Sequence, residues 1–282
     1  MTKKNGLFSR FFTILIFLFL YAPIFVLIAF SFNDSKSRTV WAGFTTKWYA
    51  ELFNNQIIMD SFYVTIWVSL LASLIATVIG TAAAIGFYGM KRRPRQSFMM
   101  VNNIPVTNPD IITGVSLMLL FVSISNITGI KMGFGTLLLA HITFNIPYVI
   151  LSVMPKLRQL NKHIYEAAID LGAKPLYAFW HVILPEIIPG VINGAMIAFT
   201  MSIDDFVISY FTSGSSASAQ TLAMTIFSMT RKKVSPEINA LSSIMFLSVL
   251  TLLIIINLRQ SYQLKAEEAN RRKFSRQSSR ED

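Results

Sequence analysis

The sequence predicts an all-α polytopic membrane protein with six transmembrane helices. Its 282 residues are 53% hydrophobic and 14% charged, with a mean hydropathy of +0.54, whereas charged residues make up about a quarter of a typical soluble domain. An α-helix needs about 20 apolar residues to cross a hydrocarbon core roughly 30 Å thick. Strands of a membrane barrel would alternate polar and apolar residues, and the long apolar runs of this chain do not alternate.

Six apolar runs are long enough to span a membrane. They lie at 11–30, 62–86, 99–124, 134–154, 186–211 and 239–258. The first has basic flanks, as a signal peptide does, but its apolar run is longer than the usual hydrophobic region, so we interpret it as an uncleaved anchor. The predicted organisation is an N-terminus at 1–10, a six-helix domain at 11–258 that includes a polar loop at 155–185, and a basic tail at 259–282.

The distribution of Lys and Arg predicts the orientation. An even number of spans puts both termini on one side, and the segments on that side hold 18 basic residues, compared with 7 in the opposite loops. The positive-inside rule therefore predicts that both termini are cytoplasmic. The net charge of +11 is then mainly a signal of topology, and we do not expect nucleic acid as a partner.

Small residues recur every four positions in the second and fifth runs, a spacing that lets helix backbones approach closely in lipid. The two ribbons are Ala72, Ala76, Gly80 and Ala84, and Gly190, Gly194, Ala198 and Ser202. Both ribbons could pack within the chain, or the ribbon of the fifth run could pack against a partner subunit.

Three acidic residues lie within the apolar runs, where a carboxylate near the bilayer centre costs about 2.5–3.5 kcal/mol. Asp110 is placed about midway along the third run, where Asn108 could cap a new helix that starts at Pro109. Asp110 could then complement the dipole of that helix or face a cation beside irregular backbone.

Asp204 and Asp205 are predicted near the outer end of the fifth helix. On a continuous helix, adjacent residues point about 100° apart, which would turn Asp205 towards the small-residue face and Asp204 away from it. Both carboxylates could be hydrated at the interface, or at least one could line an outward-facing path for a cation.

The polar loop at 155–185 predicts a helix-turn-helix projection. A helix over 161–171 should end at Gly172, and a second short helical piece should run towards Pro185, where the fifth span begins. Ala167 and Ala168 would give the projection a small-sided face, and Glu166 would be free to pair with a cation of a partner. The alternative is an amphipathic helix at the lipid headgroups.

The motifs of this loop resemble those of a known family. Glu166-Ala-Ala, three residues, Gly172, nine residues and Val182-Ile-Leu-Pro185 resemble the loop by which permeases of binding-protein-dependent ABC importers engage their ATPase. Along most of the chain, the sequence is also similar to the C-type permeases of spermidine/putrescine importers. The segments that carry this similarity are Gly43–Tyr49, Asn108–Ile112, His141–Phe144, Met201–Asp205 and Val234–Ala240.

The resemblance implies a type I ABC importer permease fold in the cell inner membrane and transport of polyamines by alternating access. It implies a heterodimer with a second, homologous permease, two copies of a cytoplasmic ATPase, and an external polyamine-binding protein that meets the loops at 31–60 and 212–238. Within those loops, Trp41, Trp48 and Tyr49 could instead be interfacial belt residues.

The resemblance also suggests roles for individual residues. The residues expected to couple the chain to the ATPase are Glu166, Ala167, Ala168, Gly172 and Pro185. The residues expected in the substrate pathway are Asp110, Asp204, Asp205 and Tyr148, although Tyr148 could instead pack at the bend of Pro147. Carboxylates and aromatic faces both attract ammonium groups.

The chain itself is not expected to be an enzyme or to hold a cofactor. It has no Gly-x-x-x-x-Gly-Lys-Ser/Thr phosphate loop, so ATP and Mg are expected in the partner ATPase. It has no cysteine, and its histidines lack metal-ligand spacing. Two alternatives are a related importer permease for another small cargo and a secondary transporter driven by an ion gradient, although no second Asn-Pro break pairs with the first.

Overall fold

A computed structural model describes residues 7–35, 40–160, 162–232, 236–248, 250–251 and 254. The described residues contain no β-strand, and their nearest approach to one is an isolated bridge between Asn33 and Phe44. The helices are α1 (Leu7–Ser31), α2 (Lys47–Asn54), α3 (Gln56–Gly89), α4 (Arg92–Thr107), α5 (Asp110–Thr128), α6 (Phe134–Gln159), α7 (Lys162–Asp170), α8 (Pro175–Ala178), α9 (Leu184–Asp204), α10 (Val207–Thr212) and α11 (Leu222–Lys232). The all-α prediction is confirmed.

Five helical segments are long and apolar enough to cross a membrane. They are Ser9–Ser31, Gln56–Gly89, Asp110–Thr128, Phe134–Gln159 and Pro175–Asp204. The sixth predicted run, 239–258, lies partly outside the described residues, although 236–248 is helical. The count of six therefore stays a prediction.

Packing divides the chain into two units, Met1–Asn55 with Met229–Asp282, and Gln56–Ser228. In the first unit, the loop after α1 folds around Asn33. The Asn33 side chain donates to the carbonyl of Val40 and accepts from the N–H of Ala42, while Trp48 Nε1 donates to the Asn33 carbonyl at 2.7 Å. Trp41 is exposed, whereas Trp48 is buried. Because a buried side chain can contact neither the membrane interface nor a binding protein, both roles that the sequence left open for Trp48 are wrong.

The second unit is organised around α6, which packs against α3 and α9. Its apolar core is contributed by those three helices and consists of Ala84, Val149, Ile150, Val153, Met154, Leu157, Ile187 and Ala198. Large apolar side chains such as Trp67, Leu74 and Val78 of α3 are exposed. This arrangement suits a bundle whose outer surface meets lipid rather than water.

Both ribbons of small residues pack within the chain. A Cβ on Gly80 of α3 would lie 2.8 Å from the Val149 Cβ, and a Cβ on Gly194 of α9 would lie 3.3 Å from the Val149 Cα. Gly190 approaches Ser152 and Lys156 of α6 equally closely. All eight ribbon residues are buried, so the proposal that the ribbon of the fifth run packs against a partner subunit is wrong.

The third predicted run, 99–124, is two helices rather than one. Proline lacks an N–H and forces the residue before it into an extended conformation. Accordingly Asn108 is extended, Pro109 occupies the N-cap position of α5, and Asp110 is the first helical residue. The placement of Asp110 midway along a span and of Asn108 as its cap is therefore wrong, because the spanning helix begins at Asp110.

The fifth predicted run is also broken. Helix α9 ends at Asp204, Asp205 is extended, and α10 starts at Val207. At the other end, α8 passes into α9 through a π-helical turn at Phe179–Ile183, so the helix runs through Pro185 instead of starting there. The predicted 100° separation of Asp204 and Asp205 is wrong, because only Asp204 belongs to the helix.

We expect Gly80→Ala to lower the free energy of unfolding by about 1–3 kcal/mol, because the added methyl group overpacks against Val149. Gly86 of the same helix is a matched control, since no heavy atom lies within 4 Å of its Cβ position. Gly86→Ala should change stability by less than about 1 kcal/mol and in the favourable direction. Unfolding of the purified chain in detergent measures both, and equal losses would contradict the close approach of α3 and α6.

Candidate functional site

The break between α9 and α10 is held together by the carboxylate of Asp205. Its Oδ1 accepts from the N–H of Ile208 at 3.2 Å, and its Oδ2 accepts from the N–H of Ser209 at 2.7 Å. The Ser209 hydroxyl also donates to Oδ2 at 2.8 Å. Free N–H groups at the start of a helix favour such an acceptor. Asp205 therefore starts α10, and its side chain is only 8% exposed.

Two polar side chains of α6 reach the same break. His141 Nε2 lies 3.0 Å from the Ser209 hydroxyl and 3.5 Å from Asp205 Oδ2. One turn further along α6, Asn145 Nδ2 donates to the Ser202 hydroxyl at 2.7 Å. His141 and Asn145 are both fully buried, so a polar seam joins α6 to both sides of the break.

Asp110 and Tyr148 lie near this seam. The Asp110 carboxylate is close enough to interact electrostatically with both Asp205 and Tyr148. Helix α5 is brought there by Gly114, whose Cβ would lie 3.0 Å from the ring of Phe211 in α10. Tyr148 is partly buried and packs edge-on against Phe144 at 6.4 Å.

Asp204 is exposed at the last residue of α9, beside Asp205, with which it interacts electrostatically. The four residues predicted for a cation path thus come from three different parts of the chain and lie near one place. Three carboxylates in such a group create a strongly negative local potential, which favours a bound cation.

The polar loop forms a second candidate site at the other end of α9. Helix α7 ends in a left-handed turn, because Gly172 has a φ of +85° and the N–H of Ala173 bonds to the carbonyl of Ala168 at 3.0 Å. This is the pattern of a glycine helix stop. The predicted helix and its end at Gly172 are confirmed, and α8 then leads into α9.

The Glu166 side chain is 64% exposed and lies 3.3 Å from His163 Nδ1. Its pairing with a cation of a partner stays a prediction. Beside it is a cavity of about 380 Å³, lined by residues from α3, α6, α7, the π-helical turn and α9, among them Tyr88, Tyr165 and Glu186. Ala167 is exposed, as are the large apolar side chains of Leu171 and Leu176. An uncovered apolar surface of this kind is typical of a contact with another protein or with a membrane.

Among the described residues, no group of three or more His, Cys, Asp or Glu side chains could hold a metal ion.

Comparison with known proteins identifies the family. Residues 76–265 match the family described as binding-protein-dependent transport system inner membrane component. The chain belongs to this family. It is a multi-pass inner-membrane permease subunit of an ABC importer, a class of transporter that also needs a partner permease, an ATPase and a substrate-binding protein.

Permeases of named transport systems align with most of this chain. The putrescine transport system permease protein PotI of Escherichia coli (strain K12) is 43% identical over 231 residues, which are 81% of this chain and 82% of the relative. The spermidine/putrescine transport system permease protein PotC of Haemophilus influenzae is 36% identical over 247 residues, or 88% and 94% of the two chains. PotC of Escherichia coli (strain K12) is 37% identical over 241 residues, or 86% and 88%.

Solved structures confirm the fold of the permease. A chain of a bacterial ABC transporter involved in the import of the acidic polysaccharide alginate aligns with a TM-score of 0.65 and 12% identity, covering 93% of this chain and 98% of that one. A chain of an amino acid ABC transporter aligns with a TM-score of 0.51 and 19% identity, covering 76% and 99%. The type I permease fold predicted from the sequence is therefore confirmed.

Three residues of the polar seam were not predicted from the sequence as site residues: His141, Asn145 and Ser209. A usable signal was present, because polar side chains inside a membrane span usually face the bundle interior or a partner group. His141 and Asn145 are four residues apart and so share one face of α6. The partner of His141 is 68 residues away in the chain and the partner of Asn145 is 57 residues away. Helical periodicity relates only residues a few positions apart, so it could not predict these pairs.

We expect Asp205→Ala to lower the free energy of unfolding of the permease by about 1–3 kcal/mol, because it leaves two backbone N–H groups and the Ser209 hydroxyl without their acceptor. Asp204→Ala is the matched control, and since Asp204 is exposed its loss should stay within about 0.5 kcal/mol. Thermal unfolding in detergent compares the two. A larger loss for Asp204→Ala would mean that Asp205 does not hold the break.

Proposed function

We propose that this permease moves polyamines, putrescine or spermidine, across the inner membrane by alternating access. The observation that carries the proposal is that the Asp110 carboxylate interacts with both Asp205 and Tyr148, while Asp204 interacts with Asp205. Polyamines are chains of methylene groups that carry two or more ammonium groups. Carboxylates neutralise such charges, and aromatic faces attract them.

The named relatives support the same cargo. PotI is a putrescine transport permease and PotC is a spermidine/putrescine transport permease, and each protein aligns over most of this chain. An importer for an anionic cargo such as alginate would gain nothing from three carboxylates at its pathway, because like charges repel.

In this proposal the loop around α7 couples the permease to its ATPase. Glu166, Ala167 and Ala168 of α7 and the turn at Gly172 form the surface that sits in a cleft of the ATPase. Pro185 lies within the continuous helical segment Pro175–Asp204, which carries the motion into the membrane. The exposure of Leu171, 89%, suits a surface that a partner covers.

The proposed assembly is a heterodimer of this chain with a homologous permease, two ATPase copies that bind ATP and Mg, and an external polyamine-binding protein. Both termini and the α7 loop would be cytoplasmic, in keeping with the positive-inside rule. ATP-driven closure of the ATPase pair would move the loop and open the pathway outward.

We expect the reconstituted assembly to import labelled putrescine or spermidine into liposomes in an ATP-dependent manner. Asp110→Asn and Asp205→Asn should each reduce uptake about tenfold, because each change removes a charged acceptor for an ammonium group. Glu267→Gln, which changes an acidic residue of the tail at 259–282, should leave uptake within about twofold.

Unchanged uptake with both Asp110→Asn and Asp205→Asn in place would remove these acids from the pathway. Assembly yield, measured by co-purification of the ATPase, separates lost transport from lost assembly. Uptake by the chain alone, driven by an ion gradient without ATP, would instead support a secondary transporter.

We expect Gly172→Ala to weaken the cargo-stimulated ATP hydrolysis of the assembly. The left-handed conformation costs a residue with a Cβ about 1–2 kcal/mol, so the turn after α7 would relax away from its coupling geometry. Gly129→Ala is the matched control, because Gly129 ends α5 with a φ of +75° and likewise has no heavy atom within 4 Å of its Cβ position. ATPase assays with and without loaded binding protein measure the effect, and an equal loss in both variants would exclude a specific role for the α7 turn.

A further inference from the structure

The direction of the hydrogen bonds at the α9–α10 break can be worked out from their donors. The one hydroxyl proton of Ser209 has three acceptors within reach, which are Asp205 Oδ2 at 2.8 Å, His141 Nε2 at 3.0 Å and the Asp205 carbonyl at 3.3 Å. We assign it to Oδ2, which is the nearest of the three and carries the charge. The Ser209 oxygen then accepts from His141 Nε2, and the imidazole proton is assigned to Nε2. The result is a directed chain from His141 through Ser209 to Asp205.

The other half of the seam fixes the end of α9. Asn145 Nδ2 donates to Ser202 at 2.7 Å, one turn before Asp205. His141 and Asn145 are four residues apart and so about 6 Å apart along α6. Helix α6 thus holds the break at two points, one before Asp205 and one after it.

These two side chains are costly to keep in an apolar span. Within the part of the chain that the structure describes, His141 Nδ1 and Asn145 Oδ1 are buried and have no hydrogen-bond partner. A buried polar atom without a partner is destabilising, and a leucine at either position would avoid that cost.

We propose that His141 is a positioning residue which, through Ser209, orients the Asp205 carboxylate towards the cargo pathway. The importance of this orientation for polyamine transport rests on the proposed function. The orientation itself does not, because it follows from the contacts of His141, Ser209 and Asp205. His141 would not touch the cargo; it acts through the serine.

The electrostatic test uses the absence of cysteine from the chain. Asp204→Cys places a single thiol next to Asp205, in the full assembly in liposomes. Its labelling rate with a trimethylammonium methanethiosulfonate, divided by the rate with neutral methyl methanethiosulfonate, reports the local negative potential. One charge at roughly 7 Å in water changes this ratio about threefold, and Asp205→Asn in the same background defines the ratio without that charge.

We expect His141→Phe and Ser209→Ala each to lower the ratio, but by less than the threefold fall in the Asp205→Asn background, because the carboxylate keeps its charge and its two backbone N–H donors. Neither change should lower the ratio further when combined with Asp205→Asn. His141→Gln should restore most of it, because the glutamine amide nitrogen can take the place of Nε2 as a donor. Ser152→Ala is the control, since it removes a different hydrogen bond between α6 and α9, from Ser152 to the Gly190 carbonyl, and should leave the ratio unchanged.

An unchanged ratio in His141→Phe and Ser209→Ala, or an equal fall in Ser152→Ala, would overturn the positioning role. In parallel liposomes that keep Asp204, polyamine uptake per ATP hydrolysed should fall about threefold to tenfold in His141→Phe and recover in His141→Gln. If the unmodified assembly moves no polyamine while the labelling ratios behave as expected, the proposed cargo is wrong and the positioning of Asp205 by His141 stands.

Discussion

The close approach of three helices along α6 is the constraint on which the second unit of the permease depends. Lipid is as apolar as the side chains, so helices associate through packing rather than through the hydrophobic effect. Val149 meets Gly80 of α3 on one side and Gly194 of α9 on the other. Because α9 is fixed in this way, the loop before it and the acidic break after it have defined positions in the bundle.

Asp205 has two tasks in this arrangement, one structural and one proposed for transport. Its carboxylate starts α10 by accepting three hydrogen bonds, from the N–H groups of Ile208 and Ser209 and from the Ser209 hydroxyl. An ionised carboxylate has about four lone-pair positions, so one remains for a cation. A residue that caps a helix is also held rigidly, which limits the entropy lost when a ligand binds.

Much of the fold could be predicted from the sequence, because two local features determine it. The length of an apolar run decides whether a helix can cross the bilayer, and the spacing of small residues decides where helices can pack closely in lipid. The end of the α7 helix at Gly172 was predictable for a different reason, because glycine adopts the left-handed turn that ends a helix without steric cost. The break at Asp205 could not be predicted, because a mainly apolar run continues through Val207–Phe211. Helical periodicity also gives no sign of a side chain that caps the next helix. The contacts of His141 and Asn145 were beyond prediction because their partners are distant in sequence.

The segment from Pro175 to Asp204 is a single helical rod of 30 residues, interrupted only by the wider turn at Phe179–Ile183. At 1.5 Å per residue the rod is about 45 Å long. A tilt of about 5° at its loop end would displace the opposite end, next to Asp205, by about 4 Å. A small angular change at one surface of the bilayer is thereby enlarged into a movement about as wide as an ammonium group at the other.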